Sequence, residues 1–347
     1  MLPRPSPLPL MLKIDGSHGE GGGQILRTAL TLALVTGEAF EIVHIRRGRP
    51  QPGLMRQHLA AVHAAREVGA AQVEGDAIGS TRLVFAPHAV RPGKYSFDIG
   101  SAGSTTLVLQ TILPALVTAG GPSEVCVSGG THNPAAPPFD FFARSYLACL
   151  NRMGPHVAAT LRRHGFVPAG GGEAAVAISP APALHGFELL QRGPLRHATA
   201  RALVSRLPLS IAQRELHTVA EELGWNAAQL HAEQVDSPGP GNVLMLELEF
   251  ESITEIVTAF GRRGTSAERV AHEAVEQARQ YLAGRAPVGR HLADQLVLLL
   301  ALAGKGRFDT LEPTLHLQTN LDVIRTFLDV PLALERLDEQ TWEVSVG

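Results

Sequence analysis

Apolar positions along the chain alternate between strand-like and helix-like spacing, and the same succession of segments recurs. The first succession reads strand, helix, strand, helix and hairpin, because apolar residues repeat first every second position and then every third or fourth. The first strand is predicted at 12–15, and the first helix begins directly after a glycine-rich loop at 19–24. The later segments are predicted at 40–45, 54–68, 72–74 and 82–86. This order predicts a mixed α/β unit.

The succession begins again in the middle of the chain. It starts with a strand at 95–99 and a small-residue loop at 100–105, and an apolar helix follows at 107–116. Next come a strand at 125–127, a helix at 139–150 and a hairpin at 157–162 and 174–178. A third copy is traced late in the chain, where a polar turn at 289–295 precedes an apolar helix at 296–303. There, a strand at 314–320 leads into a helix at 321–328. Units of this kind bury their sheets by packing together.

The third copy is interrupted by a segment of different texture. Residues 184–287 carry more charge and show their own strand–helix–strand pattern, with Pro- or Gly-rich punctuation at both ends. The predicted fold is therefore α/β, built of α+β layers. Three βαβαββ-type modules pack together over residues 1–183 and 288–347, with a small inserted α/β domain at 184–287.

Composition narrows the function classes. Hydrophobic residues make up 45% and charged residues 18%, which is typical of globular proteins, and the net charge of −3 provides no overall basic field for nucleic acid. Cys126 and Cys149 form no metal or redox pattern, which favours reduced thiols and a cytoplasmic location. The first ten residues lack an apolar signal core, and the longest apolar run, 296–303, is too short to cross a bilayer. We therefore expect no membrane association.

The glycine-rich loop at 19–24 is the strongest chemical signal. Glycines ahead of a helix expose backbone N–H groups to an anion, although such clusters also serve as simple tight turns. Glu20 lies inside this loop, where a carboxylate repels phosphate unless a cation lies between them. Glu20 is therefore interpreted as a ligand of a divalent metal.

Polar residues near predicted strand ends and helix starts are the other candidates. Arginines beside Gly- or Pro-rich turns suit phosphate binding, with solvated surface charges as the alternative: Arg27, Arg46, Arg49 and Arg56. Asp294 and Gln295 suit contacts to a base or ribose, or else a helix cap, and His291 suits stacking on a purine. Gln110, on an apolar helix, requires a polar partner.

His316 lies on the predicted strand at 314–320, between two leucines. It is either a core histidine satisfied by one carbonyl or a neutral imidazole that acts as a nucleophile. Spacing alone leaves both open.

Four segments, at 19–27, 46–58, 100–110 and 128–138, resemble signature segments of the RNA 3′-terminal phosphate cyclase family. The resemblance runs from about residue 12 to the C-terminus and includes the inserted domain. It implies an ATP-dependent ligase of RNA processing that adenylylates a histidine and passes AMP to an RNA 3′-phosphate. The neighbouring 2′-OH then closes a 2′,3′-cyclic phosphate.

The resemblance also implies roles by position. His316 matches the histidine that accepts AMP, and Glu20 matches the ligand of Mg²⁺ or Mn²⁺ near the ATP phosphates. The catalytic set further includes Arg27, Arg46 and Arg49, and Arg56 and Gln57 match positions near the RNA terminus. The adenosine pocket is matched by Gln110, Pro137, His291, Leu292, Ala293, Asp294 and Gln295. His291 replaces a tyrosine of familiar members, so we expect weaker stacking on adenine.

Two rival functions are weighed against this one. A catalytically inactive cyclase-like factor in RNA processing is expected to lack the nucleophile, so His316, Glu20 and Arg27 argue against it. An enolpyruvyl-transferase-like enzyme also stacks repeated modules and binds phosphates through arginines, but it leaves the segment at 129–138 unexplained. The physiological RNA, the preferred metal and the oligomeric state, a homodimer included, stay open.

Overall fold

Four four-stranded sheets organise the chain in the computed structural model, which describes residues 11–347. The expectation for the first ten residues therefore lies outside the described residues. Within 11–347, no helix combines the length and apolar character needed to span a membrane.

The first sheet has the strand order β1-β2-β4-β3. Its elements are β1 (Leu12–Asp15), α1 (Gly23–Thr36), β2 (Phe40–Val43), α2 (Arg56–Val68), β3 (Gln72–Glu74) and β4 (Leu83–Ala86). β1 and β2 are parallel, while β4 runs antiparallel to both β2 and β3. The predicted strand–helix–strand–helix–hairpin unit is confirmed.

The second sheet repeats this topology. Its elements are β5 (Lys94–Asp98), α3 (Thr105–Leu116), β6 (Ser123–Gly129), α4 (Phe139–Phe141), α5 (Leu147–Asn151), β7 (His156–Arg163) and β8 (Gly172–Ser179). A π-helical turn at Phe142–Tyr146 joins α4 to α5. β5 and β6 are parallel, and β8 is antiparallel to β6 and β7.

The third sheet begins before the inserted segment and is completed after it. Its elements are β9 (Glu188–Leu189) and then, beyond the insertion, α8 (Arg290–Ala303), β14 (Gly306–Thr310), α9 (Leu315–Phe327), β15 (Leu332–Arg336) and β16 (Trp342–Val346). β9 pairs parallel with β14, and β16 is antiparallel to both β14 and β15, so the order β9-β14-β16-β15 matches the first two sheets. This sheet thus takes in residues beyond the predicted boundary at 184.

The inserted domain, meaning the segment from β10 to α7, has a different strand order, β11-β10-β12-β13. Its elements are β10 (Leu195–Ser205), α6 (Leu209–Leu223), β11 (Leu230–Gln234), β12 (Gly241–Phe250), β13 (Thr254–Phe260) and α7 (Ala267–Ala283). β10 is parallel to β11 and antiparallel to β12, while β11 was not predicted. The predicted fold class, three modules with a small α/β insertion, is confirmed.

Helices of the three modules meet at the centre of the molecule. α1 packs against α2 of its own module, α3 of the second module and α9 of the third. Its fully buried Leu26 and Leu30 belong to the continuous hydrophobic core. The start of α1, where the glycine-rich loop ends, is therefore held beside elements from the other modules.

Two local predictions in the third module are wrong. The strand predicted at 314–320 is the start of α9, because the Thr314 hydroxyl caps the helix by accepting the Leu317 N–H at 3.1 Å. The alternation of leucines around His316 imitated a strand, whereas Leu317, Leu321 and Ile324 lie on one buried helical face. Likewise α8 begins at Arg290, so Asp294 lies in its second turn and is not a cap.

Candidate active site

A cavity of about 650 Å³ lies where α1, α3, α8 and α9 approach the inserted domain. Seven of the predicted site residues line it: Arg27, Gln110, Pro137, His291, Asp294, Gln295 and His316. The opposite wall comes from β13 and α7 of the inserted domain, including Glu255 and Tyr281. The cavity volume falls within the usual range of small-molecule sites.

His316 lies in the first turn of α9 and faces this cavity. Its side chain is exposed, so the alternative of a core histidine does not hold. Nδ1 forms a short hydrogen bond with Oε1 of Gln24. Because an amide oxygen only accepts, Nδ1 carries the hydrogen and Nε2 keeps its lone pair.

Electrostatics keep the His316 ring neutral. Partial burial lowers its pKa, and the positive charges of Arg27 and Arg49 lower it further. A neutral imidazole with a free Nε2 is a competent nucleophile near neutral pH.

Gln24 extends this arrangement to Asp294. Its Nε2 donates to Oδ2 of Asp294 at 3.2 Å, so one amide bridges the histidine and the carboxyl group. Gln24 received no role from the sequence, although it is only 7% exposed on an apolar helix. A buried amide that needs two partners was the available signal.

Asp294 is an unusual carboxyl group. Burial raises its pKa to about 7, against the hydrogen bond from Gln24 and the charge of Arg27. Its backbone C=O accepts the Asn320 side chain at 2.6 Å, which fixes this turn of α8 against α9. Among residues 11–347, Oδ1 has no hydrogen-bond partner, which leaves a buried acceptor at the cavity wall.

Two glutamines and a proline-rich loop complete the cavity wall that lies opposite the inserted domain, here called the first wall. Gln110 donates to Oε1 of Gln295 at 2.5 Å, which supplies the polar partner that the sequence required. Thr106 holds the loop by donating to the Pro137 C=O at 2.7 Å. Leu292 and Ala293 are buried in the core and do not line the cavity.

Glu20 lies outside the cavity lining but close to α9. Its backbone N–H donates to the Thr319 hydroxyl at 3.0 Å, and its carboxylate pairs with Arg49. The Glu20 side chain is 10% exposed, and its Oε2 has no hydrogen-bond partner in the described part of the chain. A side chain at Gly22 would overlap this carboxylate, so the glycine permits the turn.

The remaining predicted residues bind backbone groups of neighbouring loops. Arg46 donates to the C=O of Gln51 at 2.7 Å and of Gly53 at 2.9 Å. Arg56 donates to the C=O of Gly100 at 3.3 Å, and Gln57 accepts the Ser104 N–H at 2.8 Å. Arg56 and Gln57 thus join the first two modules, whereas Arg46 holds a loop within the first module.

His58 was quoted in a sequence motif but given no role. It is buried, contacts the Cα of Gly23 beside Arg27, and accepts the Met55 N–H at 3.2 Å. Burial lowers its pKa to about 3, with help from Arg27 and Arg46, so the ring is neutral. It therefore adds no charge next to the arginines.

The donor set fits a nucleotide and, in part, a metal ion. Within residues 11–347, no three His, Cys, Asp or Glu side chains cluster as metal ligands. Glu20 offers one buried carboxylate oxygen, so any ion held there would take most of its ligands from phosphate and water. Asp294 offers a second orphaned acceptor, inside the cavity itself.

Comparison with known proteins gives a consistent result. Residues 18–334 match the family model "RNA 3′-terminal phosphate cyclase". A relative of that name from Koribacter versatilis is 52% identical over 331 residues, covering 95% of this chain and 93% of the relative. One from Salmonella agona is 50% identical over 330 residues, covering 95% of each chain. The crystal structure of the enolpyruvyl transferase NikO from Streptomyces tendae matches at 11% identity and a TM-score of 0.35. The match covers 96% of this chain and 48% of that one.

Proposed function

The chain belongs to the RNA 3′-terminal phosphate cyclase family, and we propose that it converts an RNA 3′-phosphate into a 2′,3′-cyclic phosphate at the expense of ATP. The reaction proceeds through an adenylylated His316 and an RNA-3′-pp-5′-A intermediate. It forms a phosphoric ester bond, as a ligase does. The observation that carries the proposal is the cavity-facing His316 with Nδ1 bound to Gln24.

In the first step, Nε2 of His316 attacks the α-phosphorus of ATP. A P–N bond forms while the bond to pyrophosphate breaks, and the ring becomes cationic because Nδ1 keeps its hydrogen. The Gln24 oxygen stabilises that N–H as charge develops. The neutral ring of the free protein supports this role, since no proton must leave Nε2 beforehand.

The nucleoside is held by the first wall of the cavity. Pro137 and His291 offer surfaces for the adenine ring, and Gln110 and Gln295 offer amide groups for its edge. The orphaned Oδ1 of Asp294 accepts a hydrogen bond from a ribose hydroxyl. Because Gln24 also contacts Asp294, nucleoside binding and the orientation of His316 are mechanically linked.

The phosphates are neutralised by Arg27 and Arg49, which lie close enough to His316 to lower its pKa. Glu20 would hold the divalent ion, Mg²⁺ or Mn²⁺, which neutralises phosphate charge and orients the pyrophosphate leaving group. Arg49 pairs with Glu20 in the protein described here, and a cation at Glu20 would free this arginine for phosphate.

The later steps use the RNA end. An oxygen of the 3′-phosphate attacks the phosphorus of the His316 adduct, the P–N bond breaks, and His316 is regenerated. The vicinal 2′-OH then attacks the phosphorus bonded to the RNA 3′-oxygen and loses its proton, and the bond from that phosphorus to AMP breaks as the cyclic ester forms. Arg46, Arg56 and Gln57 are the residues proposed to receive the RNA terminus.

The test is to map the covalent nucleotide. Protein incubated with ATP labelled at the α-phosphate and a divalent ion should carry one AMP on His316, in an acid-labile and alkali-stable bond. The His316→Ala protein should carry none. His272→Ala is the control, because that exposed histidine does not line the cavity and bonds Glu222 of the inserted domain at 3.2 Å. Normal labelling of His316→Ala would remove the nucleophile and with it the proposed mechanism.

A further inference from the structure

Two segments support the nucleotide cavity, a proline-rich loop at 134–138 and the first turns of α8. Each is anchored by a side chain of the inserted domain. The anchors are Arg201 on β10 and Glu255 on β13, and neither received a role from the sequence.

The hydrogen bond between His132 and Asp140 closes the base of the proline-rich loop to which Arg201 is bound. His132, fully buried before the loop, bonds Oδ2 of Asp140 behind it at 2.9 Å. The Thr131 hydroxyl accepts the Gly165 N–H at 3.0 Å and lies 2.9 Å from Nδ1 of His132. Because an ionised carboxylate only accepts, Nε2–H of His132 donates to Asp140. The loop between them is held as a closed ring.

Arg201 ties this ring to the inserted domain. Its guanidinium donates to Oδ1 of Asp140 at 2.7 Å and to Glu233 of β11 at 2.9 Å. Although burial raises the pKa of Asp140, the bonds from His132 and Arg201 lower it to about 2. The carboxylate is thus charged at working pH and bound on both oxygens.

The second anchor lies at the start of α8. Glu255 is 5% exposed, and its carboxyl group lies against the backbone of Gly289, the residue that precedes the helix. A side chain at 289 would overlap this carboxyl group, so glycine permits the contact. Burial raises the pKa of Glu255 to about 8, against the hydrogen bond from the Gly289 backbone, so the group is largely uncharged at neutral pH and holds the start of α8 by hydrogen bonding and packing.

The helix capped in this way carries three of the cavity residues. His291, Asp294 and Gln295 lie in the first two turns after Gly289, so the position of the cap sets theirs. Pro137 lies in the loop closed by His132 and Asp140. The inserted domain therefore contacts both supports, the 134–138 loop through Asp140 and the start of α8 through Gly289.

We propose that the inserted domain is a clamp for the nucleotide site, in which Arg201 and Glu255 are positioning residues that hold the 134–138 loop and the start of α8 at the spacing that ATP requires. The inference rests on the proposed function for the identity of the nucleotide. It assigns a role to a domain that the chemistry itself does not use.

The test measures nucleotide affinity separately from catalysis. Binding of a non-hydrolysable ATP analogue is followed by calorimetry in the full chain, and the KM for ATP and the kcat of self-adenylylation are measured in parallel. Arg201→Ala and Glu255→Ala should each raise Kd and KM by about tenfold, since small misplacements of binding groups have effects of this order. Their kcat at saturating ATP should stay within about twofold of the wild type.

Conservative variants separate positioning from folding. Glu255→Gln keeps an acceptor for Gly289 and should restore most of the ATP affinity, as should Arg201→Lys in part, because it keeps the charge beside Asp140. Arg196→Ala is the control, since that exposed arginine lies on the same strand and pairs with Glu251. It should leave Kd unchanged.

Two results would overturn the clamp. One is wild-type nucleotide affinity in Arg201→Ala and Glu255→Ala, whatever their melting temperatures. The other is an equal loss in Arg196→Ala. If the wild type binds the analogue and the two anchor variants bind it more weakly, but no covalent AMP forms, the clamp stands and the proposed reaction fails.

Discussion

At the scale of the residue, the site depends on amide and carboxyl groups that each serve two partners. Gln24 accepts from His316 with its oxygen and donates to Asp294 with its nitrogen, so its orientation fixes which nitrogen of the histidine is free. Asp294 keeps one oxygen unbonded to other described residues. Selecting the nucleophilic nitrogen thus requires no charged neighbour in direct contact with the ring.

Glu20 provides the sharpest residue-scale prediction. Glu20→Ala removes the carboxylate proposed to hold the metal, so self-adenylylation should slow by at least about one order of magnitude and require more metal. The measurement is the rate of AMP incorporation across a titration of Mg²⁺ and Mn²⁺.

The matched control is Glu41→Ala, which also breaks a carboxylate–arginine pair, with Arg82 at 2.6 Å, but lies on β2 away from the cavity. Its metal dependence should equal that of the wild type. An unaltered metal requirement in Glu20→Ala would mean that this carboxylate only holds Arg49 and the loop.

At the scale of the element, the sequence predicted the helices and the first two sheets better than the third sheet. Most of the longer elements lie within a few residues of their predicted places, because long apolar periodicities survive tertiary packing. The strands β9, β11, β14, β15 and β16 were not predicted, since they are at most five residues long and carry few buried positions. The starts of α8 and α9 were misplaced, because cavity-facing residues such as His291 and His316 interrupt the apolar pattern that marks a helix.

The candidate site could be predicted only in part for the same reason. His316 and Asp294 stand out as polar residues in apolar surroundings, and the resemblance supplied their roles. Arg201 and Glu255 could not be singled out, since their partners Asp140 and Gly289 lie far away in sequence. Such contacts exist only once the inserted domain has docked.

A buried carboxyl group on α6 gives an element-scale prediction for stability. Glu215 is fully buried, accepts the Asn242 side chain at 3.0 Å, and has no partner for Oε1 among the residues described. Burial raises its pKa to about 7, well above the value of about 4.3 in an unfolded chain. Between those two values the folded state holds a proton that the unfolded state releases, so the free energy of unfolding falls as pH rises from about 4.3 to about 7.

Glu215→Gln removes the cost of ionisation and keeps an acceptor for Asn242. Its free energy of unfolding should exceed that of the wild type by about 3 to 4 kcal/mol at pH 8, and by about 1 kcal/mol at pH 5. Urea titrations at both pH values measure this. Glu221→Gln, an exposed position on the same helix, should change little at either pH, and a pH-independent effect of Glu215→Gln would contradict the assigned ionisation.

At the scale of the whole molecule, one topology is used three times and the cavity forms where the copies meet. The repeat could be predicted from the sequence because each module has the same order of elements. Which helices meet could not be predicted, since the contacts of α1 with α3 and α9 join residues far apart in the sequence, including the hydrogen bonds from Thr31 to the Thr111 C=O and from Thr28 to Asn320. The junction brings the start of α1 from the first module, an amide from the second and a histidine from the third into one place.

This convergence predicts how the reaction divides between protein and RNA. The protein supplies groups for adenylylation, on α1, α8 and α9, but the last step needs a nucleophile that only the substrate carries, the 2′-OH. RNA ending in a 3′-phosphate on a 2′-deoxy sugar should therefore accept AMP from His316 and stop as RNA-3′-pp-5′-A. The all-ribose RNA should pass through that species to the cyclic ester, and an RNA with a free 3′-OH should accept nothing. Gel resolution of end-labelled RNA separates the three species, and a cyclised product from the 2′-deoxy end would show that the ring closes by a different nucleophile.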